Sequence, residues 1–148
     1  VPVDPIIITD AGELSPSDPS LSEPAVASNG GDPYEDYPED NDAEQDASTV
    51  LEAARTLRAL GNARWKDGEA DEALAKWQKA LRYLDVHPDP PAELADEFGA
   101  LRAPLLLNSA LAALKAPGGA RIALDATNAA LGLPNLGDAD RGMYLVRL

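Results

Sequence analysis

The 148-residue chain carries 26 Asp and Glu against 12 Lys and Arg, a formal net charge of -14. So large an acidic excess argues against wrapping nucleic acid or docking on anionic lipid. There is no cysteine, so disulfides and thiolate metal sites are excluded, and no basic-then-apolar leader or bilayer-length apolar run is present. A soluble, cytoplasmic protein is the expectation. The charge is unevenly spread: the first 50 residues hold 13 Asp and Glu and no Lys, Arg or His, leaving 13 acidic and 12 basic residues from Leu51 onward.

In chain order, residues 6–9 are a short β-branched run between Pro5 and the Gly12 turn, which reads as one strand. A lone strand needs partners for its backbone, so it is either a few apolar residues on an unstructured end or the last strand of a preceding domain. Residues 15–48 are rich in proline, serine, glycine and acid. They hold too little apolar surface to offset their ordering entropy, and are expected to be a disordered acidic linker.

Two amphipathic helices follow. Leu51, Ala54, Leu57, Leu60, Gly61 and Trp65 recur at spacings of three and four, and so do Ala70, Ala73, Leu74, Trp77, Ala80, Leu81 and Leu84. Thr49 with Glu52 predicts a capping-box start, and Gly68 a left-handed stop. Small residues at Gly61, Ala73 and Ala80 fall where helices approach closely, while Leu57, Leu60 and Trp77 fill the space between them. This is the tetratricopeptide-repeat (TPR) pattern.

The prolines at 88, 90 and 91 end the hairpin, and the lone His87 among them has no assigned role. A helical pattern from 92 to 116 carries Leu94, Phe98, Leu101, Leu105, Asn108, Leu111 and Ala112, with Pro104 expected to kink or divide it. A short helix is expected over 122–131, and the start of another over 138–148. Ala110 and Ala123 repeat the small-residue logic, giving a period of 49 residues between Gly61 and Ala110, about 15 longer than a plain TPR. The predicted fold is all-α: TPR hairpins over 49–148, as repeat one (49–86), repeat two (92–132) and a partial third repeat (138–148).

Gly61-Asn62, the stretch from Ala80 to Leu84, the lengthened inter-repeat segment and the stretch from Leu107 to Lys115 together resemble the large, TPR-bearing cyclophilins of the forty-kilodalton type. The opening residues 5–14 look like the closing strand of a cyclophilin barrel, and Tyr37-Pro38-Glu39-Asp40 like the acidic linker after it. The resemblance implies a peptidyl-prolyl isomerase that acts as a co-chaperone of the ninety-kilodalton heat-shock chaperone. It also implies that residues 1–14 are a barrel remnant, that the catalytic barrel is absent, and that the third repeat is cut short. The chain itself is then not expected to catalyse, and no cofactor or metal is implied.

Arg55, Arg58, Asn62 and Lys66 lie three and four apart on one helical face, able to meet an anionic peptide with fixed charge and amide donors. For the arginines alone a solvated surface is the simpler reading; Arg58, Asn62 and Asn108 together favour binding. The resemblance puts Arg58, Asn62, Asn108 and Arg141 in a clamp for the acidic C-terminal tail of the chaperone, Met-Glu-Glu-Val-Asp, with Arg55 and Lys66 a secondary basic face. Leu145 stands where the clamp expects arginine, which leaves the clamp incomplete. The alternatives are a TPR scaffold for another client, or an enzymatic role belonging to the whole cyclophilin. Adjacent acids such as Asp71-Glu72 point to different helix sides and make a poor catalytic dyad, and no phosphate loop or nucleophile constellation appears. Two further expectations follow. An uncovered last pair of helices self-associates through residues 122–148 or leaves the domain marginal. The acidic stretch 35–46 folds back over Arg55 and Arg58 and competes with an incoming tail.

Overall fold

The computed structural model describes residues 12–13, 15, 31–38 and 45–133. Its four helices are α1 (Ala47–Lys66), α2 (Ala70–Asp85), α3 (Ala95–Ala113) and α4 (Ala120–Leu131), and there is no strand among the described residues. The fold is all-α, as two helical hairpins in which each helix packs on the next and α1 also meets α3. The strand expected at 6–9 and the partial repeat at 138–148, with Arg141 and Leu145, lie outside the described residues.

α1 begins two residues before the expected cap. The Asp46 side chain accepts the Thr49 backbone N–H at 2.9 Å and the Thr49 hydroxyl at 3.0 Å, so Asp46 is the N-cap and Thr49 lies within the first turn. The bonds from Thr49 hold the Asp46 carboxyl below its ordinary pKa. At the other end Gly68 has φ of 85°, its N–H bonds the Trp65 carbonyl, and the Glu69 N–H bonds that of Arg64. That paired return is a Schellman closure, which needs a residue free to take positive φ.

The core takes most of the predicted stripe residues together with Val50, Ala53 and Tyr83, which lie outside them, while Leu60, Trp65, Ala70 and Leu81 of the stripes are only half-buried. Val50, Leu57, Leu84 and Leu105 have no exposed surface, and burying each such side chain contributes roughly 1.5–3 kcal/mol. Gly61, Ala73, Ala80, Ala110, Ala123 and Ala130 are all buried at helix contacts. A Cβ placed on Gly61 would lie 2.5 Å from Trp77 Nε1, so the indole occupies space that only glycine leaves open. Trp77 is buried, whereas Trp65 is half-buried beside it, with ring centres 5.7 Å apart.

α3 is not divided at Pro104. The carbonyl that loses its helical donor belongs to Ala100, which is exposed, so water can take the donor's place. Arg102 ties the second hairpin to the first, bonding the Asp85 carboxylate and, at 2.9 Å, the Leu84 carbonyl. His87 has a structural partner, its Nε2 lying 2.8 Å from the Gln45 carbonyl oxygen, which anchors the inter-repeat connection to the entrance of α1.

Gly61→Ala is expected to destabilise the chain by about 1–3 kcal/mol, because a rigid buried indole must move. Gly99→Ala, in α3 with open space around it, is expected to stabilise by up to ~1 kcal/mol through helix propensity. Urea unfolding of both variants checks the pair; equal shifts would contradict the close approach at Gly61.

Candidate functional site

Helical geometry sets the polar face of α1. At 3.6 residues per turn, Arg55, Asn62 and Lys66 fall nearly in line, with Arg58 flanking them. Asn108 follows Glu97 by three turns on α3, so those two also share a line. Two contacts fix how the helices face each other. Arg55 pairs with Glu97, 42 residues later, near the start of α3. Beyond the end of α3, the Lys115 ammonium stands 4.1 Å from the centre of the Trp65 ring, 50 residues apart. Both contacts run in the same chain direction, so α1 and α3 lie parallel. Asn62 and Asn108, 46 residues apart, fall within the stretch that the two contacts bracket.

Of the residues on this face, Arg58, Asn62 and Asn108 are half-buried and Lys66 is exposed. Arg58 Nε is buried without a hydrogen-bond partner among the described residues, which leaves a charged donor in want of an acceptor. Arg55 is in a different position: it pairs with Glu97 and, at 3.5 Å, with Glu52, so its charge is already met within the fold.

A second charged cluster has no counterpart among the sequence-based expectations. Asp32, expected in a disordered linker, is fully buried against α2, where it pairs with Lys76 and, at 2.9 Å, with Lys79. The Lys79 ammonium also donates to the Tyr34 carbonyl at 2.6 Å and pairs with Asp36 at 3.1 Å. Tyr34 meets Tyr83 edge to face at 5.7 Å, and the Tyr83 hydroxyl donates to the Glu35 carbonyl. Arg82 donates to the Asp36 carbonyl and lies over the Tyr37 ring. Residues 31–38 are therefore held mainly by α2, with the Gln45 amide donating to the Pro38 carbonyl at 2.9 Å. The expected fold-back over Arg55 and Arg58 is not what this part of the acidic stretch does. Lysines at spacing three on α2 have the look of a solvated stripe, and the one sequence signal against that reading is Tyr83 among them.

The electrostatics follow from this packing. Burial by itself works against a charged Asp32, but bonds from Lys76, Lys79 and the Tyr34 N–H outweigh it and hold the carboxyl below its ordinary pKa. Burial, helped by the carboxylates of Asp32 and Glu35, pushes the Tyr83 phenol up to about 12. No group of residues able to hold a metal ion occurs among the described residues, and none of their helices is long and apolar enough to cross a membrane.

The chain is similar to proteins named peptidyl-prolyl cis-trans isomerase D. The protein of Cryptococcus neoformans is 41% identical over 157 aligned residues, covering 96% of this chain and 42% of the relative. That of Mycosarcoma maydis is 34% identical, covering 97% and 39%, and that of Kluyveromyces lactis 31% identical, covering 99% and 41%. The chain thus spans about two fifths of the length of the curated relatives it matches. No family model matches it, and no solved structure does.

A pH dependence follows from Asp32. Its native carboxylate holds a proton less tightly than an unfolded aspartate, so the docking of 31–38 is at full strength above the ordinary aspartate range. It is lost as pH falls through the lowered native value. The charged groups facing it are Lys76 and Lys79 on α2, while Glu35 and Asp36 of its own segment are exposed. Amide-exchange protection at Tyr34, corrected for intrinsic rate, should be flat down to about pH 4 and fall below it. A fall that persists in Asp32→Asn would contradict this assignment.

Proposed function

We propose that the chain is a protein-binding TPR co-chaperone module, part of a cytoplasmic protein of the forty-kilodalton cyclophilin type. Its client is the acidic C-terminal tail of the ninety-kilodalton heat-shock chaperone. The observation that carries the reading is the common face of α1 and α3, where Arg58 has a buried donor without an acceptor and Asn62 and Asn108 lie between two bracketing contacts. A terminal aspartate offers two carboxylates close together. The asparagine amides donate to its oxygens without bringing charge of their own, and Arg58 supplies the fixed positive charge. Arg141 is proposed as a further cation of the same clamp. With Leu145 at the position where the family pattern has arginine, and with Arg55 neutralised by Glu97, the affinity is expected below that of a complete clamp.

The similarity to peptidyl-prolyl isomerases supports the family, and the two-fifths overlap supports assigning catalysis to a part of those relatives that this chain does not match. The residues here bind and the chemistry is done elsewhere. A coupled proline-isomerisation assay on the chain is expected to give a rate no higher than buffer.

Titration with a Met-Glu-Glu-Val-Asp peptide tests the site. Asn62→Ala and Asn108→Ala should each weaken binding by about tenfold or more, the loss of a hydrogen bond to a charged group. Equal binding by the three proteins would remove the clamp and leave a TPR scaffold for a different client.

A further inference from the structure

The contacts of residues 31–38 have the form of a bound peptide rather than of a connecting strand of chain. One carboxylate, Asp32, sits between two ammonium groups; an aromatic two residues on, Tyr34, packs on Tyr83; and two backbone carbonyls are read by Lys79 and Tyr83. A third carbonyl, that of Asp36, is read by Arg82. These four recognising side chains lie on α2, at 76, 79, 82 and 83, while a fourth carbonyl, that of Pro38, is read by Gln45 from outside it. Main-chain contacts supply affinity whatever the sequence, while the buried carboxylate and the aromatic supply selectivity.

We propose that this face of α2 is a second binding site, for acidic peptides carrying aspartate two residues before an aromatic, and that residues 31–38 are its resident ligand in cis. The site does not use Arg58, Asn62 or Asn108 and goes beyond the function proposed above. Asp32 pairs with both Lys76 and Lys79, so departure of the segment removes the carboxylate that these ammonium groups face. Exchange requires both ammonium groups to return to water when it leaves, because a charge stranded in a dry core is what makes most buried pairs costly to break. The open state is a basic patch of Lys76, Lys79 and Arg82 around Tyr83, on a chain whose excess charge is negative. An incoming peptide must outcompete a tethered one, whose effective concentration is on the order of millimolar. The cis segment therefore sets a threshold that only a well-matched or locally concentrated partner crosses.

The test uses the full chain and a fluorescein-labelled peptide of residues 31–38. By anisotropy, Asp32→Asn should bind the peptide at least about tenfold tighter than the unaltered chain, since the resident ligand is weakened while the site is intact. Adding Lys76→Gln and Lys79→Gln should abolish that gain, with helix content checked by circular dichroism. In the unaltered chain, unlabelled peptide at about 1 mM should speed amide exchange at Tyr34, whose N–H is held by Asp32 at 3.0 Å. Equal peptide affinity across the three chains overturns the proposal, and so does unchanged Tyr34 exchange. Peptide binding that is lost in Asn62→Ala with Asn108→Ala but kept without the lysines also overturns it, by moving the peptide to the other face.

Discussion

The contact of Trp77 with Gly61 is the constraint on which the arrangement of helices depends. The indole of Trp77 on α2 lies where any side chain at position 61 of α1 would have to be, and its N–H is buried with no acceptor among the described residues. Shape, not hydrogen bonding, therefore fixes this position, and a close-packed interior leaves no room for it to slide. With α1 and α2 held at that distance, Ala73 and Ala80 complete the seam. The same use of small side chains at Ala110, Ala123 and Ala130 seats α3 and α4. Parallel placement of α1 and α3 follows, because each is the first helix of a hairpin stacked on the last. The polar face that these two helices share is a product of the packing.

Electrostatics divide that product into two surfaces with different character. On α2, Lys76 and Lys79 share the Asp32 carboxylate inside the protein, Lys79 also pairs with Asp36, and Arg82 is engaged with the Asp36 carbonyl and Tyr37. On the face of α1 and α3, Arg55 meets Glu97 and Lys115 rests over Trp65, so both ends of the face are closed by internal contacts while Arg58 between them keeps an unmet donor. Residues 31–38 and the proposed tail site thus lie on different helices. They need not exclude one another, contrary to what the charge asymmetry of the sequence suggests.

The first hairpin is legible in the sequence because its apolar residues recur at helical spacing along α1 and α2, over 20 and 16 residues. Gly68 directly after such a run marks a turn, and small residues in register with the stripes mark close helix contacts. The N-cap differs from the predicted one for a local reason: Thr49 and Glu52 have the spacing of a capping box, but Asp46 upstream bonds the same Thr49 N–H. At Pro104 the missing donor is readable from residue type, whereas the exposure of Ala100 to water is a tertiary fact. The docking of Asp32 is hidden twice over. Its partners are more than forty residues away, and an acidic, proline-rich stretch has the composition of a solvated linker even when one carboxylate in it is buried. For the candidate site, residue type and repeat position are readable, whereas the capture of Arg55 by Glu97 requires the helices to be placed side by side.

The central claim is that nested helices turn Arg58, Asn62 and Asn108 into one receptive face. Mapping amide chemical-shift changes as a Met-Glu-Glu-Val-Asp peptide is added to the isotopically labelled chain tests it most directly. The account predicts shifts concentrated at Arg58, Asn62 and Asn108, with Lys76, Lys79 and Tyr83 unmoved. Shifts gathered on α2 and absent from α1 and α3 would contradict it.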